Sequence, residues 1–363
     1  MDIGQWFAVV PEASLLRIHA SIVSALDTQY TQDDREFVHY DGMFHISRFM
    51  PDASMNSLIT CRLETRPSSD GHLWQSRLKD ATPARLSVGR VGQLSSLYFQ
   101  ELCEPANDPQ GGYVDIDVRA VSINAKDVYT MFGRVETQEN SLALEFSGVV
   151  KTAGRNVYLQ PGDRVVALAP NHWNTTERVS ASAVHKIQPD EDFAVMCTLP
   201  VVYGTAIYAL QDRAQLQPGE SVLVHAGAGA FGIAAISLAL GMGATVYTTA
   251  STPAKRHFLK SKFNLPEGHI FNSRDTSFAS GVRKATNGNG VDVVINSLGG
   301  DLLHDSWNCV AEFGRFVEIG KKDLVDSGRL DMGVFLRNAT FTAFDLSELF
   351  NNKLQHQRGM LSR

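Results

Sequence analysis

The chain has 363 residues, enough for two or three domains, with 44% apolar and 20% charged side chains. Its formal net charge is −6, without a block of like charges, which argues against the clustered basic face of a nucleic-acid binder. No run of about 18 apolar residues stands out, so no membrane span is expected. The opening segment MDIGQWFAVVPEASLLR lacks the basic start and small-residue cleavage site of a secretory signal.

The first stretch, residues 1–85, is the least legible. Leu15, Leu16, Ile18, Ile22, Val23 and Leu26 are spaced for one apolar face, predicting a helix over Ser14–Thr28. Residues 86–200 read as β-rich: SLYFQEL, YVDIDVRAVSIN, LEFSGVVKTAG and DRVVAL lie between turn sequences such as Gln160-Pro161-Gly162-Asp163. Short strands with little helix predict a compact, partly open barrel. From Val201 the rhythm changes to alternating strand and helix: SVLVHAGAG, FGIAAISLALGMG, ATVYTTA, TPAKRHFLKSKF, HIFNS, a helix near Phe278–Thr286, VDVVINSL, a helix near Leu302–Glu312, and GRFVEIG. That alternation predicts βαβ units and a parallel sheet over 201–345.

The sharpest signal is Gly227-Ala228-Gly229-Ala230-Phe231-Gly232, which follows a buried-type strand and opens a helix. There Gly227 allows the tight turn, Gly229 lets backbone N–H groups approach a pyrophosphate, and Gly232 lets the helix pack close to the strand. A dinucleotide site selective for NAD places Asp or Glu about 20 residues further on. Here that region reads Tyr247-Thr248-Thr249-Ala250-Ser251-Thr252-Pro253-Ala254-Lys255-Arg256, with no carboxylate. Thr249, Ser251, Thr252, Lys255 and Arg256 offer hydroxyls and cations for a 2′-phosphate, so NADPH is the expected cofactor. The competing account of Lys255 and Arg256 is a solvated helix face. Asn296, Ser297 and Gly320 close predicted strands and belong to the same cleft, because ligands of parallel sheets bind at the carboxyl ends of strands.

Cys61, Cys103, Cys197 and Cys309 lie far apart without zinc-site spacing. They are expected to be idle thiols of a cytoplasmic chain, with no metal.

The segments VRAVSINAKDVYTMFG, LEFSGVV, PGDRVVAL, LPVVYGTAIYALQDRAQLQPGESVLVHAGAGAFGIAAISLA, NSRDTSF, VDVVINSLGGDLL, GRFVEIGK and MGVFLRNATF occur in order between about Ser87 and Phe344. In this respect the chain resembles medium-chain dehydrogenase/reductases of the quinone oxidoreductase-like branch. Within it, the chain is most similar to the enoyl reductase of fungal-type highly reducing polyketide synthases and of animal fatty acid synthase. The resemblance implies a GroES-like partly open β-barrel domain over 86–200 and a doubly wound Rossmann domain over 201–345, with the active site between them. It implies reduction of the α,β double bond of an enoyl thioester carried on an acyl carrier protein. Other synthase domains would then be partners, and a homodimer would form through the Rossmann sheet edge.

The resemblance also points to catalytic roles. Lys255 and Asp275, the latter in Asn272-Ser273-Arg274-Asp275, would share delivery of the α-proton, with Arg274 counted among the cofactor residues. Asn124 and Tyr129 would face the nicotinamide, the phenol donating to the thioester oxygen. Three alternatives stand beside these roles: Lys255 as a phosphate ligand, Asp275 as a helix N-cap, and Tyr129 as a packed aromatic. Where zinc-dependent relatives carry Gly-His-Glu, the chain reads Ala143-Leu144-Glu145, so the reductase is expected to be zinc-independent. Departures from the family pattern are Ala143 for the usual glycine, Ala125 for a common aromatic, and a tail, 346–363, about 60 residues short of a complete return to the barrel. Residues 1–85 resemble the linker preceding a synthase reductase, so a slice of a megasynthase is expected. The competing readings are a free-standing NADPH:quinone oxidoreductase and a non-catalytic remnant that binds the cofactor without turnover.

Overall fold

The computed structural model describes residues 83–102, 107–133 and 142–346, together with the backbone of an N-terminal hairpin. The helix expected over Ser14–Thr28, Cys61, Cys103 and the tail beyond Leu346 lie outside the described residues. Two units are present, Met1–Ser76 and Arg77–Arg363. In the first, β1 (Phe37–Tyr40) pairs antiparallel with β2 (Met43–Ile46).

The second unit opens with the hairpin of β3 (Ala84–Val88) and β4 (Leu97–Glu101). A five-stranded antiparallel sheet follows: β5 (Tyr113–Val121), β6 (Ala143–Ala153), β7 (Arg164–Asn171), β8 (Thr176–Ser180) and β9 (Val184–Lys186), in the order β8-β5-β6-β7-β9. Its apolar positions converge on Val114, Ile116, Phe146, Val150, Val165, Ala167 and Val179, a core that shields one face. Gly148 sits where β6 presses against β5; a Cβ there would lie 2.2 Å from the Asp117 carbonyl oxygen. Across β5 and β8, Arg178 forks onto both oxygens of Asp115 at 2.6 and 2.8 Å. Between β5 and β6 lies the short helix α1 (Ala125–Met131).

Two helices lead out of this sheet, α2 (Phe193–Met196) and α3 (Pro200–Ile207), and a π-helical turn over Tyr208–Arg213 prolongs the second. The helical stretch Phe193–Arg213 is 21 residues long and contains an 18-residue window of mean hydropathy 1.7, so by length and composition alone it passes the test for a membrane-crossing helix. A buried core helix passes the same test. The reason for its apolarity is packing: Val202, Ala206, Ala209 and Leu210 are buried in the core of the next sheet.

That sheet is wholly parallel. Its strands are β10 (Ser221–Val224), β11 (Thr245–Ala250), β12 (Ile270–Asn272), β13 (Val291–Asn296), β14 (Val310–Glu318) and β15 (Thr340–Ala343). They lie in the order β12-β11-β10-β13-β14-β15, with β10 at the point where the chain reverses direction across the sheet. The crossovers are α4 (Ala230–Gly241), α5 (Pro253–Phe263), α6 (Ser277–Ala285) and α7 (Asp301–Asn308), with the short α8 (Lys322–Val325) after β14. Strand parity assigns the two faces. Val222, Val224, Val246, Val293 and Ile295 pack with α3, α4 and α5, while Leu223, Tyr247, Val294 and Phe316 pack with α6 and α7. The helix expected to reach Glu312 stops at Asn308, because Val310 already pairs with Val291 and the Cys309 carbonyl accepts the Val291 N–H.

Candidate active site

The turn from β10 into α4 is built for close backbone approach. A Cβ on Gly227 would lie 2.0 Å from Thr248 Oγ1, and one on Gly232 would lie 2.5 Å from the Ala226 carbonyl oxygen. Glycine is therefore required at both. Gly229 caps the helix with no side chain over it, so the first N–H groups of α4, from Ala230 onward, have no cap to compete with an anion. Ala228 and Phe231 turn their side chains onto the core beneath.

Ala226 adopts φ 51°, a left-handed conformation that a residue with a Cβ adopts at a cost. A hydrogen-bond chain under the turn holds it there. The Ala226 N–H donates to Thr249 Oγ1 at 3.0 Å, and that hydroxyl meets His225 Nδ1 at 3.3 Å. His225 Nε2 meets Ser306 Oγ at 2.8 Å, and Ser306 Oγ donates to the Leu302 carbonyl at 2.6 Å. Ser306 has spent its hydrogen on Leu302, so it accepts from Nε2–H. Nδ1 must then accept from Thr249, and the chain runs one way through a neutral imidazole. Burial pushes the His225 pKa down to about 3. Thr249, expected to face a 2′-phosphate, is instead fully buried and braces the glycine turn. Parity explains the correction: Thr249 lies on the α6/α7 face, opposite Thr248.

Beyond β11 the chain does present exposed polar groups. Thr252 caps α5, its hydroxyl accepting from the Lys255 N–H at 3.3 Å, and Ser251 is half-buried beside it. Lys255 is exposed, and its ammonium has no partner among the described residues. The Arg256 guanidinium is partly committed, donating to the Ile270 carbonyl at 2.9 Å. Arg274 is exposed, with its side chain uncommitted among the described residues. Asp275 forms no ion pair with Lys255, so the anticipated proton-sharing pair is absent. Its oxygens instead accept from Asn272 Nδ2 at 2.6 Å, from the Ser277 N–H at 3.0 Å and from the Ser277 hydroxyl, tying down the start of α6. The bonds from Ser277 hold its carboxyl below the usual carboxylate range.

On the other side of β10, Asn296 and Glu318 end β13 and β14 as register partners. Ser297 is exposed, and a Cβ on Gly320 would lie 3.4 Å from the Ser297 carbonyl oxygen, so these residues do gather at the strand tips. Glu318 escaped the sequence reading. A polar residue among apolar alternates at the end of GRFVEIG, on the same parity as Asn296, is the signal that marks it.

On the antiparallel sheet, Asn124 caps α1 and spends its amide hydrogens on Glu145 Oε1 (2.8 Å) and Ser122 Oγ (3.0 Å). Its side chain also accepts from the backbone of Asp127, whose carboxylate accepts the Asn124 N–H at 2.6 Å in a reciprocal capping box, so this amide serves the start of α1. Tyr129 is exposed. Glu145 is buried, accepts from the Ser122 hydroxyl at 2.5 Å and from the Val201 N–H at 2.6 Å, and so joins β6 to the first turn of α3. Burial raises its pKa.

Residues 110–251 match the alcohol dehydrogenase GroES-like domain family and residues 230–354 the zinc-binding dehydrogenase family. The highly reducing polyketide synthase fogA of Aspergillus ruber is 52% identical over 99% of this chain, and virA of Hypocrea virens is 50% identical over 91%. The chain spans 15% and 14% of the length of those synthases. Among solved structures, the CurK enoyl reductase superposes with a TM-score of 0.69 at 32% identity, over 78% of this chain and 86% of that one. The chain belongs to the polyketide synthase enoyl reductases.

Among the described residues of this enoyl reductase, no donor set fits the zinc of zinc-binding dehydrogenases. Among the described residues no three His, Cys, Asp or Glu side chains converge. At the position of the dehydrogenase histidine stands buried Leu144, and the carboxylate of Glu145 is consumed by the hydrogen bonds above. Ala143 pairs with Asn171 at the start of β6, and Ala125 is exposed at the first position of α1.

Proposed function

We propose that the chain reduces the α,β double bond of an enoyl thioester presented by an acyl carrier protein, using NADPH, without zinc, as one domain of a highly reducing polyketide synthase. The observation that carries this reading is the three-glycine cradle at the open N-terminus of α4, with exposed Lys255 and Arg274 and no carboxylate where NAD would need one. Bound there, the cofactor would supply hydride to the β-carbon of the thioester, and a proton taken up from solvent at the α-carbon would complete the reduction.

The chain's own residues do the rest. Ala230, Phe231 and Gly232 offer N–H groups to the pyrophosphate. Lys255 and Arg274, with the Ser251 and Thr252 hydroxyls, take the 2′-phosphate. Tyr129 is exposed and donates to the thioester oxygen, stabilising the charge that develops as hydride arrives. Asp275 acts by fixing the loop that carries Arg274.

The test follows loss of reduced-cofactor absorbance with crotonyl thioester on a carrier protein. Oxidation of NADPH with a kcat/KM at least about tenfold above that for NADH is expected, the factor set by loss of one charge-assisted bond. Turnover of a quinone with the thioester untouched would instead favour a quinone oxidoreductase. Binding without any turnover would identify a non-catalytic module.

A further inference from the structure

Glu318 and Asn296 form a buried polar pair at the tips of two neighbouring parallel strands, and their hydrogen bonds are unequally filled. Asn296 Nδ2 donates to the Leu298 carbonyl at 2.8 Å and to Glu318 Oε2 at 2.5 Å. Glu318 Oε1 accepts the Gly320 N–H at 2.6 Å. Both groups facing the Asn296 amide nitrogen are acceptors, so the amide can sit only one way round. Asn296 Oδ1 is then left buried with no partner. A buried acceptor without a donor is costly and is kept where something else completes it.

The sheet order says what that would be. On the reading above, the adenosine end lies by β11 and its following residues, and the pyrophosphate lies at α4 beyond β10. Next in the sheet come β13 and β14, so the remaining half of the dinucleotide reaches their tips. The nicotinamide nucleoside carries hydrogen-bond donors of its own, in the carboxamide NH2 and the ribose hydroxyls. We propose that Glu318 is a positioning residue for this half of the cofactor: it locks the Asn296 amide so that Oδ1 accepts a hydrogen bond from the nicotinamide nucleoside. The inference rests on the cofactor reading, and it explains why a carboxylate, which only accepts, stands between two N–H donors. Glutamine at 318 would bring an NH2 group against one of them. The relief is an Asn296 flip that presents a donor where Oδ1 had been.

The experiment compares the affinity of the full chain for NADPH and for adenosine 2′,5′-bisphosphate, which lacks the nicotinamide half. Glu318→Gln and Asn296→Ser should each weaken NADPH by about tenfold, the scale of one hydrogen bond, and leave the bisphosphate unchanged. A merely structural role would weaken both ligands together, and that result, or equal NADPH affinity in wild type and both variants, overturns the proposal. Retained bisphosphate binding also reports that each variant is folded. If wild type binds neither ligand, the cofactor reading itself falls, and the inference with it; if wild type binds both and no split appears, the inference alone falls.

Discussion

At Gly232 a single methyl group is too much. Its Cβ would sit 2.5 Å from the Ala226 carbonyl oxygen and 2.6 Å from Gly227 Cα, both backbone atoms that cannot swing aside. Gly232→Ala should therefore cost about 1–3 kcal/mol of stability and weaken NADPH by tenfold or more in a titration. Thr249 tests the bracing beneath the same turn. Thr249→Val keeps the shape but strands the Ala226 N–H and removes the donor to His225 Nδ1. About 1–3 kcal/mol should be lost, read as a lower denaturant midpoint at unchanged slope. The glycines were legible in the sequence because their spacing encodes a backbone requirement. The task of Thr249 was not, since a hydroxyl near a strand end suits a ligand or a brace equally, and parity alone separates the two.

Among the elements, α5 and α6 divide what looked like a single chemical pair. Lys255 opens α5 with its ammonium uncommitted, whereas the oxygens of Asp275 are engaged in starting α6. Lys255→Ala should raise the KM for NADPH at least about tenfold with kcat at saturation nearly unchanged, the pattern of lost ground-state binding. A large fall in kcat at saturating cofactor would return Lys255 to proton delivery. Asp275→Asn should lower the melting temperature slightly and leave turnover in place. The parallel strands were read correctly because buried runs such as VLV and VDVVI have no alternative period. The end of α7 was not, since the residues after Asn308 continue the helical pattern while their backbone already pairs with β13.

For the molecule as a whole, buried ionisable groups set opposite pH limits. His225 is neutral in the fold, with its pKa lowered from 6.5 to about 3, so the unfolded chain takes up its proton first as the pH falls. Its contribution is fully present above 6.5 and drains away toward pH 3, at about 1.4 kcal/mol per unit. Glu318 is raised from 4.5 to about 7 and Asp127 from 3.8 to about 6, chiefly by burial. Here the folded chain holds its protons longer, so stability is greatest below the unfolded values and is lost as the pH rises through 6 and 7. Thermal midpoints should peak in mild acid. His225→Gln should flatten the acid limb and Glu318→Gln the alkaline one; limbs unmoved by either variant would refute the assignment.

The polar tips of the parallel sheet share one face. His225, Thr249, Asn296 and Glu318 all lie on the α6/α7 side and are tied into the interior, while Thr252, Lys255 and Arg274 stand in solvent. On the proposed reading, choice of nucleotide is thereby divorced from the architecture that supports it. A protein engineer could rewrite the solvent-facing trio to favour the unphosphorylated coenzyme, and the foundation below would not register the change.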